Sequence, residues 1–201
     1  MEVIVDPIPR IISHLDKEMY EYCKTKWISA DNVNSEQRYN IQVRDTTIQN
    51  YINLVSVKAF QLLKPYIQEA YPKWTQSTIT IRQQFSGNLC SADSYQMRDW
   101  HLDNGNKVLI GLWYFKHPED SNEGGLHISD GENEKLIPYD ENTIVFIPNL
   151  PNAWHKVGSR KVWTHERRFI NIVVEQRAHL HDYSRDADNK DSMKPVVNLM
   201  A

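Results

Sequence analysis

Two imidazoles and one carboxylate are the side chains of this sequence best spaced for chemistry. His101-Leu102-Asp103 heads the stretch DWHLDNGNKVLIGLWYF, and His155 lies in TIVFIPNLPNAWHKV. On a β-strand, residues two apart point to the same face. His101 and Asp103 can therefore reach one metal ion together. A third ligand must come from a neighbouring strand, and His155 is the best placed. Such a set occupies one face of an octahedron and leaves three positions open.

The tripeptide alone says little, because it occurs twice: His14-Leu15-Asp16 is the second copy. His14 lies in IISHLDKEMYEYCKTKWI, where Ile12, Leu15, Met19, Cys23 and Trp27 recur at helical spacing. Residues i and i+2 of a helix diverge by about 200°, so this copy is expected not to hold a metal. His101 and Asp103 instead precede a β-branched and aromatic run bounded by Asn and Gly, which reads as a strand. Two His and one carboxylate with open positions are the donor set of non-heme Fe(II) oxygenases.

The elements that must position these residues are expected within one domain spanning all 201 residues. With 40% apolar and 24% charged residues, the composition is that of a globular protein. A net charge of −3 without a long basic run argues against a dedicated nucleic-acid binder. Cys23 and Cys90 form no metal or redox spacing and read as free thiols in a reducing compartment. The start, MEVIVDPIPR, lacks the basic and apolar segments of a signal peptide, and no stretch is long and apolar enough to span a membrane. A cytoplasmic location is expected.

Residues 1–77 read as helical support: an extended lead-in, a helix over 11–28, a short strand in RYNIQV, and a helix over 47–70 capped by Asp45. Pro65 is expected to kink or break the second helix near residue 64. Residues 78–176 read as a β core. Its strands are ITIRQQF, KVLIGLWYF, GGLHIS, TIVFIP, AWHKV and ERRFINIVVEQ, with Ser86-Gly87-Asn88 as a turn and KLIPYDEN as a lead-in. Seven or eight short strands indicate a sandwich or barrel. Residues 177–201 read as an irregular tail in which His179, His181 and Asp182 are solvated.

Residues 79–176 resemble the Fe(II)/2-oxoglutarate-dependent dioxygenases, especially the prolyl-hydroxylase-like branch. The likeness rests on HLDNGNK, on LWYFKHPEDSNEGGLHI, on NTIVFIPNLPNAWHKV and on RRFINIVV. It implies a mainly β, double-stranded β-helix (jelly roll, cupin-like) barrel backed by the N-terminal helices. It implies Fe(II) held by His101, Asp103 and His155, with 2-oxoglutarate and O2 as co-substrates and succinate and CO2 as products. A cation must hold the far carboxylate of 2-oxoglutarate, and Arg fits that need. The Arg-aromatic match with Phe169 assigns this role to Arg168 rather than Arg167, which strand alternation places on the opposite face. Tyr114 matches a tyrosine that also touches this carboxylate, and Arg160 is an outside candidate for the cation.

Two features depart from the family. Phe85 falls where many prolyl hydroxylases have a pocket tyrosine, and Ile170 and Ile172 stand where a Thr or small residue is common. Related halogenases replace the carboxylate ligand by a small residue, so Asp103 favours hydroxylation of an unactivated C–H. The substrate class stays open among a peptidyl residue, an amino acid and another small metabolite, and so does the oligomeric state. The competing reading is a non-catalytic or 2-oxoglutarate-independent cupin-like metal-binding module. Other residues read as structural: His117 in a loop, His127 on a strand, His165 with Glu166 near the barrel mouth, and Gly124-Gly125 at a tight turn or close approach. Trp100, Trp113, Trp154 and Trp163 read as core, with one or two as pocket walls.

Overall fold

A computed structural model describes residues 1–27, 38–88, 100–120, 124–157 and 166–181. The strands are β1 (Val3–Ile4), β2 (Arg10–His14), β3 (Arg38–Gln42), β4 (Ile79–Asn88), β5 (Lys107–Tyr114), β6 (Leu126–Ser129), β7 (Glu134–Ile137), β8 (Thr143–Pro148), β9 (Trp154–Val157) and β10 (Arg167–Gln176). The helices are α1 (Lys17–Thr25) and α2 (Thr46–Ala70). A seven-stranded sheet runs β1-β2-β8-β5-β10-β4-β3, and a three-stranded sheet runs β7-β6-β9, with antiparallel pairing throughout. This is the jelly-roll, double-stranded β-helix architecture.

The register divides the large sheet into two faces, because residues paired across strands point the same way. Phe169 pairs with Tyr114 and Ser86, and Asn171 with Leu112 and Gln84. These residues share one face. Ile170 and Ile172 lie on the other with their partners Trp113 and Phe85 or Gly111 and Gln83. That second face receives α2, against which the Gln83 amide donates to Gln49 O at 3.1 Å and Asn53 Oδ1 at 2.6 Å. Ile48, Ile52, Leu63 and Ile67 of α2 are fully buried against it. The three-stranded sheet turns Leu126, Ile128, Ile137 and His155 to its buried side and leaves His127, Leu136 and Lys156 more exposed.

Several expected elements take a different form. The helix expected over 11–28 begins only at Lys17, because Arg10–His14 pairs with β8 and Asp16 caps the helix, accepting from Met19 N at 2.8 Å. His14 is thus a strand residue and Asp16 a helix cap, so the second His-Leu-Asp copy is separated by a change of element rather than by helical rotation. Pro65 lies inside α2, which runs unbroken to Ala70 with Leu63 and Ile67 buried on either side of it. Ser86-Gly87-Asn88 is no turn; it continues β4 and pairs with both β3 and β10. The first three residues of the lead-in KLIPYDEN belong to β7. His181 is buried rather than solvated, whereas His179 is exposed.

Asp45 caps α2 as expected, accepting from Thr47 N at 3.0 Å and Ile48 N at 3.1 Å. The Ile48 amide is the main reason its carboxyl lies below the ordinary range. A carboxylate with a depressed folded pKa stabilises the fold above its unfolded value and loses that contribution as pH falls through the folded one. Asp45→Ala is expected to lower Tm at pH 7, and in thermal melts its gap from the parent narrows below about pH 4.

Candidate active site

His101 makes an isolated bridge with His155: each backbone N donates to the other's carbonyl at 3.1 Å. The pair adds a one-residue bridge to β9, the edge strand of the small sheet. It fixes the imidazoles side by side, ring centroids 4.2 Å apart and tilted by 55°. His101, Asp103 and His155 are all buried, and each offers a ligand atom within 4.8 Å of the others. His155 Nδ1 lies 3.2 Å from Ala153 O. Donation there leaves Nε2 as the nitrogen of His155 that could ligate a metal. That nitrogen faces Asp103 Oδ2 at 3.4 Å.

Asp103 is poised to ionise. Burial favours the neutral acid, but the hydrogen bond and charge of His155 outweigh it, with Lys107 adding to the effect, and the carboxyl lies well below its ordinary range. Two buried imidazoles and one carboxylate suit a borderline divalent cation such as Fe(II). Among the described residues, this is the one such cluster of three or more ligand side chains.

A second constellation lies between the sheets. Arg167 is 1% exposed, and its Nε donates to Gly124 O at 2.7 Å, reaching from the large sheet to the chain entering β6. Its guanidinium stands 4.6 Å from the Phe169 ring, 5.3 Å from Tyr114 and 5.5 Å from Tyr139. Arg167 Nη2 and the Tyr114 hydroxyl are both buried without a hydrogen-bond partner. Burial pushes the Tyr114 hydroxyl up, opposed by the adjacent Arg167. A guanidinium and a hydroxyl so placed are chemically suited to an acceptor such as a carboxylate oxygen.

Arg168, the arginine favoured by the family match, lies on the other face of β10. Its guanidinium pairs with Glu166 at 2.7 Å and lies 5.7 Å from the Trp27 ring, and its side chain is 40% exposed. It points to the helix-facing side, into a cavity of about 370 Å³ walled by Tyr20, Lys24, Trp27 and Phe115. As alternation requires, the two arginines lie on opposite faces: Arg167 shares its face with Tyr114, and Arg168 does not. Phe85 likewise packs against Trp27 at 4.9 Å on the helix side, not in the pocket. Asn171 and Val173 follow Arg167 along its face, and Ile170 and Ile172 follow Arg168.

Tyr139 is a residue that sequence reasoning missed. Its hydroxyl accepts from Arg168 N at 2.9 Å, and its ring stands edge-on to Tyr114 at 5.2 Å. Asn149 and Lys107, which hold the loop after Asp103, were also missed; a polar residue next to a Pro and a Lys opening a strand gave no signal. His127 pairs with Glu134 at 2.5 Å on the outer face, and His117 is exposed. Gly124 has φ +83°, and a Cβ on Gly125 would lie 2.3 Å from Ile137 O, so both need glycine. Trp113 is fully buried, while Trp100 lies under the Lys156 ammonium at 4.3 Å. Arg160, Trp163, His165, Asp182 and Cys90 lie outside the described residues. No described helix is long and apolar enough to cross a membrane.

Neither a family model nor a curated protein matches this sequence. Solved structures do match its fold. A prolyl-4-hydroxylase of Pseudomonas putida superposes with a TM-score of 0.59 at 9% identity, over 87% of this chain and 96% of that one. A 2OG-Fe(II) oxygenase family oxidoreductase of Burkholderia pseudomallei gives 0.55 at 13% identity, over 90% and 89%. The non-heme alpha-ketoglutarate-dependent epimerase SnoN of nogalamycin biosynthesis gives 0.57 at 9% identity, over 83% and 78%. The fold is therefore that of the 2OG-Fe(II) oxygenases and their prolyl-hydroxylase members. A hydroxylase and an epimerase share it, so the fold leaves the reaction open.

Proposed function

We propose that this protein is an Fe(II)- and 2-oxoglutarate-dependent oxygenase that hydroxylates an unactivated C–H of a peptidyl residue, an amino acid or a small metabolite. The observation that carries the reading is the convergence of His101, Asp103 and His155 in a buried cluster. His101 and His155 supply nitrogen donors and Asp103 an oxygen donor. Arg167 and Tyr114 supply the two buried donors suited to the far carboxylate of 2-oxoglutarate. Bound iron with 2-oxoglutarate and O2 supplies the oxidising chemistry, releasing succinate and CO2.

The chain's own share is positioning. The paired backbone bonds of His101 and His155 hold both imidazoles before any ligand arrives. The aromatic walls of Tyr114, Tyr139 and Phe169 exclude water around Arg167, which strengthens its grip on an anion. A metal-binding module without 2-oxoglutarate has no use for such a buried guanidinium, which favours the oxygenase. We further propose a reducing, cytoplasmic setting, in keeping with the buried free thiol of Cys23.

Anaerobic addition of Fe(II) and 2-oxoglutarate tests the reading. A weak visible charge-transfer band is expected, followed by succinate release in air. Absence of both, with metal demonstrably bound, favours the cupin-like module instead. A succinate-release screen over amino acids and peptides then narrows the substrate.

A further inference from the structure

We propose that Lys107 is a positioning residue that limits Asp103 to a single ligating oxygen. The proposal rests on the oxygenase reading, since it concerns how this carboxylate meets the metal. The two oxygens of Asp103 have different surroundings. Lys107 Nζ donates to Oδ1, while Oδ2 faces Nε2 of His155 at 3.4 Å. An oxygen engaged by an ammonium is a poor metal ligand, and a cation approaching it meets like charge. The metal is thereby directed to Oδ2, on the imidazole side.

The surrounding loop makes this pairing a built feature. Lys107 N donates to Asn104 O at 3.0 Å. Asn149 Nδ2 donates to both Asn104 O and Lys107 O at 2.9 Å. Gln176 N donates to Asn106 O at 2.9 Å, and Leu180 N to Gly105 O at 2.7 Å. Gly105 permits the last contact, because a Cβ there would lie 1.8 Å from His181 O. Every residue from Asn104 to Lys107 is thus tied by its backbone. The Lys107 side chain is 20% exposed and that of Asp103 6%, so the ion pair is partly withdrawn from water.

The consequence is a matter of counting positions. Three protein donors on an octahedral ion leave room for a chelating co-substrate and for O2. A carboxylate bound through both oxygens takes one of those places. Lys107 therefore keeps a co-substrate position open, acting through Asp103 without touching a substrate.

The test compares the parent with Lys107→Met and Lys107→Arg. Mn(II) affinity, the visible Co(II) spectrum and 2-oxoglutarate affinity of the Mn(II)-loaded protein are measured. Loss of the ammonium is expected to tighten Mn(II) binding about tenfold and to weaken 2-oxoglutarate binding about tenfold. The Co(II) spectrum changes with coordination number, and Lys107→Arg restores the parent behaviour. A folded Lys107→Met protein with the parent's two affinities and spectrum overturns the proposal, as does weaker Mn(II) binding. Should Lys107→Met not fold, Lys107→Gln is read by the same criteria. A parent that binds neither Mn(II) nor Co(II) overturns the oxygenase reading and this proposal with it. A parent that binds metal beside an unchanged variant overturns this proposal alone.

Discussion

Asp103→Ala is expected to abolish binding of Fe(II) and of its redox-inert substitute Mn(II) at concentrations that saturate the parent. Asp103 is the one anionic donor of the cluster, and two imidazoles alone do not neutralise a divalent ion. Asp103→Asn, which keeps the volume, is expected to fail as well, separating charge from packing. Succinate formation should fall to background in both. The metal-free variant also loses the Lys107 partner. Breaking a fully buried pair costs about 3–5 kcal/mol, and a smaller loss is expected here because Lys107 is 20% exposed. Isothermal titration with Mn(II) checks the first expectation and thermal melts the second. Parent-like Mn(II) binding by Asp103→Ala would remove this carboxylate from the site.

The next largest effect separates two adjacent arginines. Arg167→Met is expected to weaken 2-oxoglutarate binding by about 30-fold or more, since truncating one partner of a buried charged hydrogen bond costs about 2–5 kcal/mol. Arg168→Ala is expected to change it little. Its side chain is 40% exposed and pairs with Glu166, on the face of β10 opposite Arg167 and Tyr114. Both variants should bind Mn(II) as the parent does, because neither arginine contributes a donor to the cluster. Equilibrium binding of 2-oxoglutarate to the Mn(II)-loaded proteins decides the matter. The reverse order of effects would restore Arg168 and remove Arg167.

The two arginines also mark where the sequence was readable. His101, Asp103 and His155 stood out because their residue types are rare together and the β context of KVLIGLWYF distinguished one His-Leu-Asp from the other. The short strand-like runs after Thr78, with turns between them, likewise indicated the class of fold. The phase of β10 was not readable. FINIVV is apolar on both faces, so alternation separates Arg167 from Arg168 without saying which one faces inward. Asn171, a lone polar residue in that run, was the available clue, since it shares the Arg167 face. β2 was hidden because IISH, followed at once by a capped helix, mimics helical spacing. Lys107 and Asn149 gain their roles only when β5, β8 and the C-terminal segment close around the loop between them, which no local pattern encodes.

The reciprocal backbone bonds between His101 and His155 have a consequence for metal exchange. The ligand-bearing segments are brought together by main-chain pairing, so the ion is not what gathers them. Such a protein should survive chelation intact and take up metal again without refolding. Its thermal stability should then follow free metal concentration by simple mass action, in contrast to small domains that collapse around their ion. Occupancy could then track supply, with the polypeptide serving as a standing receptacle.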